Sequence, residues 1–240
     1  MDERHWFEDV ADHLGEAYLR YSFTKGTVQE VAFLIGELEL APGVRVLDVG
    51  CGPGRHAHAL AEAGIEVVGV DISERFIDLA GRDAPAGATF VRADARELAY
   101  DAEFDAVISL CQGAFGLAGG PGAPLDPDGV VLAGMTRAVK PGGRLALSAF
   151  SSYFAVRHLD GPGFDVDSGV HHETFEVKDP EARTAKYDAW TTCFTPRELR
   201  LMVAAAGLEL LAVYSVEPGD YARRPPDIEH PEFLLTARRP

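Results

Sequence analysis

The stretch Val46-Leu-Asp-Val-Gly-Cys-Gly-Pro-Gly54 decides the fold. Its first residues continue a β-branched run from Val44 and read as a short buried strand. Gly50, Gly52 and Gly54 then make a tight turn, and a small-residue helix with Ala57, Leu60 and Ala61 starts beyond it. Glycines here let backbone approach a ligand and take positive φ. The loop is not a dinucleotide fingerprint, which needs a third glycine where this chain has Arg55. Nor is it a P-loop, because no Gly-Lys-Ser/Thr follows, and Pro53 removes one amide a phosphate would use. The turn suits a ligand held close to backbone without a pyrophosphate.

Working outward, strand and helix alternate. Gly64 ends the first helix as a C-cap, 65–70 is a second buried strand, and Ser73 N-caps the next helix. Further strands lie near 89–92, 104–110 and 143–150, with a Gly/Pro-rich loop (119–127) and a helix up to Val139 between the last two. Such alternation predicts a doubly wound parallel sheet. Upstream, 14–40 carries a helical pattern in which Val28, Val31, Ala32, Leu34, Ile35 and Leu38 recur at three- and four-residue spacing. Downstream the rhythm changes. Segments 170–177 and 184–194 predict an antiparallel hairpin around Asp179-Pro180-Glu181, and Thr195, Pro196 and Glu198 start a helix ending at Gly207. A closing strand pair, 208–216 and 233–237, brings the α/β sheet to seven mostly parallel strands. The chain reads as one domain. Its parts are an N-terminal helical cap (1–40), a ligand-binding core (41–150), an inserted β lid (151–194), and a closing helix and strand pair (195–240). Ligands bind beyond the carboxyl ends of parallel strands, so the antiparallel insertion roofs the site.

Composition narrows the classes. The 240 residues are 47% hydrophobic and 25% charged, ample for a core without disulfides or a structural metal. With 22 basic against 38 acidic side chains the formal charge is -16, which argues against nucleic acid and anionic membranes as partners. No apolar run reaches the ~20 residues of a membrane span, and Met1-Asp2-Glu3-Arg4-His5 has no apolar stretch behind it, so no secretory signal is read. Cys51, Cys111 and Cys193, odd in number and widely spaced, suggest reduced thiols in a cytoplasmic protein rather than a disulfide framework or zinc site. No metal is expected.

Asp48 in the quoted stretch, with Gly69-Val-Asp71-Ile-Ser behind the second strand, resembles the class I S-adenosylmethionine-dependent methyltransferases. Arg92-Ala-Asp94-Ala, Phe104-Asp-Ala-Val-Ile-Ser-Leu110 and Lys140-Pro-Gly-Gly143 follow in that family's order, so the resemblance covers about residues 25–150. It implies a Rossmann-like fold, S-adenosylmethionine as cofactor and S-adenosylhomocysteine as product. The implied cofactor contacts are Gly50, Cys51, Gly52 and Gly54 in the loop, Asp71 with Ile72 at the ribose, and Asp94 with Ala95 at adenine. Asp48 organises the loop or meets the ligand's amino group, and the carbonyls of Leu110 or Cys111 receive that ammonium. From the N-terminal segment, Lys25 is a partner for the methionine carboxylate, and Tyr21 closes against sulfonium or substrate.

The acceptor side is read from the insertion. Strand alternation puts His171 and His172 on opposite faces, and His171, sharing its face with Phe175 and Val177, is the candidate general base. Gln112, Phe115, Tyr153 and Trp190 are candidate substrate contacts in an apolar, aromatic pocket. No Asn/Asp-Pro-Pro-aromatic run follows the fourth strand, where the chain reads Cys111-Gln-Gly-Ala-Phe115, which disfavours DNA and glutamine amino-methylation. The expected reaction is methyl transfer to N or O of a small molecule. A tRNA-modifying enzyme, suggested by Thr24-Lys25-Gly26, and a non-catalytic S-adenosylmethionine-binding protein are the alternatives.

Overall fold

Strand β1 (Arg45–Val49) lies between two parallel neighbours, β2 (Glu66–Asp71) and β4 (Phe104–Ser109), in the computed structural model, which describes residues 4–120, 123, 126–159 and 163–240. Asp48 sits opposite Gly69 on one side and Ile108 on the other, so a carboxylate stands in the middle of an apolar sheet. Beyond β2 comes β3 (Ala88–Arg92), and beyond β4 comes β5 (Val139–Ser151), both parallel. The chain ends in β9 (Glu209–Val216) and β10 (Glu232–Arg238); β10 slots antiparallel between β5 and β9. Seven strands therefore run in the order β3-β2-β1-β4-β5-β10-β9, with β10 alone reversed among them, and three strands of the insertion extend the sheet from β5 to ten in all among the described residues.

Helices cover both faces of this sheet. One core packs Leu132 and Met135 of α5 (Pro127–Ala138) and Leu199 of α7 (Pro196–Ala205) against Leu145, Leu147 and Phe233. The other packs Val31 and Leu34 of α2 (Thr27–Glu37) and Leu60 of α3 (Arg55–Glu62) against Val46, Ile108 and Leu234. The helix starts follow the capping chemistry. Ser73 Oγ accepts Phe76 N–H at 3.2 Å to begin α4 (Glu74–Arg82), and Thr195 and Glu198 close a reciprocal capping box on α7. Among the described residues no helix is long and apolar enough to cross a membrane.

Two regions differ from the pattern-based expectation. The stretch 14–40 is not one helix. Gly15 at φ 45° and the extended Tyr21 break it into 3-10 turns (Gly15–Arg20, Ser22–Thr24) before α2 begins. Ahead of them an unanticipated α1 (Trp6–Leu14) forms, its first turn fixed by Glu8, whose carboxylate accepts the His5 amide at 3.1 Å. The insertion is also richer than a hairpin: α6 (Ser152–His158) and the two-residue β6 (Phe164–Asp165) precede β7 (Val170–Lys178) and β8 (Thr184–Phe194). Strand β8 joins the carboxyl end of β5 through Phe150–Cys193 and Ser151–Phe194. The hairpin thus hangs over the ligand edge of the sheet. Helix α1 packs against it, Val10 and Leu14 burying Val177.

Candidate active site

The glycine loop uses its own amides. Gly50 and Cys51 both donate to the Val70 carbonyl, at 2.8 and 3.0 Å, and Gly52 donates to Asp71 Oδ2 at 2.8 Å. Asp71 Oδ1 accepts Ser73 N–H at 2.8 Å. One carboxylate therefore ties the loop to the start of α4, and the amides of 50–52 are committed before any phosphate could claim them. Burial pushes the Asp71 carboxyl up to about 6 against the pull of those two amides. Gly50 also touches the loop after β4: a Cβ there would lie 2.1 Å from the Gly113 carbonyl carbon. Glycine is needed at both positions for this approach.

The loop after β4 is strained. Cys111 and Gln112 take φ of 51° and 50°, two successive non-glycine residues in the left-handed region, which costs on the order of 1–3 kcal/mol each. Ser148 Oγ accepts the Cys111 amide at 2.7 Å, and the Leu110 carbonyl accepts Gly113 N–H at 2.9 Å. Between the two loops runs a narrow cleft lined by Gly50, Asp71, Ile72, Asp94, Ala95 and Gly113, with His5 and Phe7 closing it from above. Asp94 faces this cleft but is held by Arg96, whose Nε donates to both carboxylate oxygens at 2.9 and 3.0 Å. Burial raises the Asp94 carboxyl, yet the bonds to Arg96 outweigh that and hold it below the usual range.

A second, larger cavity of about 410 Å³ lies under the hairpin. Its walls are aromatic, with Trp6, Phe7, Tyr18, Tyr21, Phe23 and Phe175, and Cys111, Gln112, His171 and Glu232 supply polar atoms. Phe7 faces both cavities. Register explains the roof: His171 pairs with Thr191 on the inward face, whereas His172 pairs with Trp190 on the outward one. His171 is 6% exposed; His172 is exposed and stacks on Trp190 at 4.9 Å.

Beneath the glycine loop sits a buried polar cluster. Glu30 Oε2 accepts from Arg55 at 2.6 Å and lies 2.7 Å from His56 Nε2, while its Oε1 accepts Gly219 N–H at 2.9 Å. Arg55 also donates to Cys111 Sγ at 2.7 Å. Glu30, His56 and Cys111 bring ligand-type atoms within 4.8 Å of one another, a grouping no sequence spacing reveals. The guanidinium bonded to two of them already supplies the positive charge a metal would bring. Nearby Asp48 is 1% exposed, its Oδ2 has no hydrogen-bond partner, and burial pushes its carboxyl up to about 7 despite Arg55.

A profile of the methyltransferase domain matches residues 46–143, the strands and loops that build the narrow cleft. The cypemycin N-terminal methyltransferase of a Streptomyces species is 30% identical over 223 residues, covering 82% of this chain and 84% of its own length. The chain belongs to the class I S-adenosylmethionine-dependent methyltransferases. Solved structures agree on the fold. The CcbJ methyltransferase from Streptomyces caelestis superposes with a TM-score of 0.79 over 99% of both chains at 19% identity. The 1,6-didemethyltoxoflavin-N1-methyltransferase of Burkholderia thailandensis, solved with S-adenosylhomocysteine and 1,6-didemethyltoxoflavin bound, gives 0.60 at 24% identity, covering 96% of this chain and 85% of that one.

The residues present fit the cofactor of this family. An unpartnered buried carboxylate oxygen on Asp48 suits an ammonium, and the narrow cleft offers carboxylates at Asp71 and Asp94 with apolar walls between. The structure places the other expected residues as follows. Lys25 is exposed and lines neither cavity; the buried cation near the loop is Arg55, whose significance sequence spacing hid. Cys51 is buried with its amide on Val70, so it shapes the loop rather than facing the cleft. Phe115 is fully buried and stacks on Phe194 at 4.8 Å as part of the core. Tyr153 projects from α6 at 46% exposure, away from the cavity. Trp190 sits on the outward face of β8, packing edge-on to Trp6 at 5.8 Å. Tyr21 lines the aromatic cavity, not the cofactor cleft.

Proposed function

We propose that this methyltransferase methylates an N or O atom of a small, largely apolar molecule held in the aromatic cavity, working as one domain in the cytoplasm. The observation that carries this reading is the roofed cavity of about 410 Å³, which meets the cofactor side at Cys111 and Gln112. That volume falls in the ~300–1,000 Å³ range of small-molecule sites. In this reading Asp71 and Ile72 hold the ribose, Asp94 and Ala95 the adenine, and Asp48 with the carbonyls at Leu110 and Cys111 the ammonium. When bound, S-adenosylmethionine supplies a methyl carbon already activated by its sulfonium. The protein's work is placement: α1, the hairpin and the strained 111–112 backbone fix the acceptor against the strand ends. Holding reactants at near-attack distance is worth ~7–11 kcal/mol. His171 is the roof's basic contact with the acceptor, and Gln112 the polar contact at the cavity floor.

The three cysteines are free, which suits a reducing compartment. The acidic surface speaks against a tRNA acceptor. Transfer of labelled methyl from S-adenosylmethionine to extracts split into small metabolites and RNA tests the reading. Label in the small-molecule fraction is expected. Label confined to RNA, or no transfer at all beside intact S-adenosylhomocysteine binding, would overturn it.

A further inference from the structure

Strand β10 is reversed, so its first residue, not its last, lies at the carboxyl ends of the parallel strands. That residue is Glu232, paired with Phe150 of β5 at the sheet edge where ligands bind. It is 4% exposed and lines the aromatic cavity beside Gln112. Its Oε2 is closed to solvent with no hydrogen bond of good geometry, and the Gln112 amide and Ser148 hydroxyl stand beside the carboxyl. A buried carboxylate left this way costs free energy that the fold does not recover by itself. The charge balance of the cavity points the same way. Glu173 and Glu176 stand on the hairpin wall, and among the described lining residues there is no lysine or arginine. Aromatic rings joined to carboxylates, with no cation present, match an ammonium group on an apolar body and repel an anion.

Building on the small-molecule reading above, we infer that the acceptor is a basic amine and that Glu232 receives its N–H and then its proton. The ammonium form of the amine gives one proton to the Glu232 carboxylate, leaving a neutral nitrogen with a free electron pair. That pair forms the N–C bond to the methyl carbon as the C–S bond breaks, its electrons staying on sulfur to give a neutral thioether. The positive charge passes to the methylated nitrogen, and Glu232 returns its proton to water. Burial pushes the Glu232 carboxyl up to about 7, with the Gln112 amide and Ser148 hydroxyl pulling it down, so both protonation states are within reach near neutrality. His171, on the roof, is then a contact for the acceptor body rather than the proton acceptor.

The test uses the full chain saturated with S-adenosylhomocysteine and three matched probes: phenethylamine, phenethyl alcohol and phenylacetate. Binding is read from the tryptophan fluorescence of the chain, in which Trp6 lines the cavity and Trp190 packs on it. The amine should bind tighter than the alcohol by about tenfold or more, as expected for a hydrogen bond to a charged group, and phenylacetate weakest. Glu232→Gln should erase the amine's preference while leaving S-adenosylhomocysteine affinity close to wild type and the melting temperature at pH ~7 no lower than wild type. With S-adenosylmethionine and labelled amines, the same variant should lose turnover. An equal or better affinity for the alcohol or acid would overturn the inference while leaving the cavity as acceptor site. So would a preference that survives in Glu232→Gln. If none of the three probes binds, the cavity is not the acceptor site and both readings fall. The wild-type preference stands as a measurement even if the variant does not fold.

Discussion

Asp48→Asn should stabilise the free protein and impair it at once. The carboxyl is buried in the middle of the sheet, its ordinary value of 3.8 raised to about 7, chiefly by desolvation. A carboxyl with a raised folded-state pKa contributes most below its unfolded pKa, and that contribution is lost as pH rises through the folded value. The loss therefore runs from pH ~4 to ~7 at ~1.4 kcal/mol per pH unit, for a total of ~4 kcal/mol. An asparagine does not titrate, so the variant escapes this penalty. Its melting temperature relative to wild type should rise by about 4–8 °C between pH ~5.5 and ~7, the equivalent of ~2 kcal/mol for a domain of this size. Affinity for S-adenosylhomocysteine should meanwhile fall about tenfold or more, since a charged partner for the ammonium is gone. Calorimetric melts of both proteins at the two pH values, with titrations of S-adenosylhomocysteine, decide the matter. A melting difference that does not change with pH would refute the buried-charge argument, and unchanged affinity would refute the ammonium assignment.

Gly113→Ala places a Cβ 2.1 Å from the Gly50 carbonyl oxygen, so the two loops must part; calorimetry should show S-adenosylhomocysteine binding weakened with only a ~1–3 kcal/mol loss of stability. Asp71→Ala removes the acceptor of both Gly52 N–H and Ser73 N–H and should cost cofactor affinity ~2 kcal/mol or more, read in the same titration. His171→Ala should lower acceptor turnover while S-adenosylhomocysteine affinity holds, whereas Trp190→Ala, on the outward face, should show no acceptor-specific defect; steady-state kinetics against binding separates the two. Turnover should survive EDTA, and activity lost to EDTA and restored by zinc would mean that the cluster of Glu30, His56 and Cys111 holds a metal.

What could be read along the chain was whatever depends on local pattern. The β1 loop, the caps at Ser73 and Thr195 and the inward face of His171 all follow from spacing of two, three or four residues, and the structure has them there. Lys25 and Trp190 lie away from the cavities for one reason. Whether a side chain near the site faces it depends on where a neighbouring segment breaks or on which strand pairs with which, and neither is written in composition. Arg55 enters the sequence reading only as a residue that spoils a dinucleotide motif; its value comes from Glu30, a helix away in sequence, and Cys111, three strands further on. Glu232 gave a faint signal, an acid opening the apolar run Phe233-Leu-Leu235. Its meaning needed the reversal of β10, which turns a strand's first residue toward the ligand edge.

Phe7 belongs to two cavities, and α1 carries it with its neighbour Trp6, whose indole donates to the Gly119 carbonyl at 2.9 Å. A wall shared by two compartments makes their occupancies interdependent. Whatever factor one ligand imposes on the other's affinity by settling α1 must be returned in equal measure, since coupling free energy is reciprocal. The two dissociation constants of this enzyme are then not separate properties. Measuring S-adenosylhomocysteine affinity with and without acceptor gives, from one side of the wall, the energy with which the first helix closes over both.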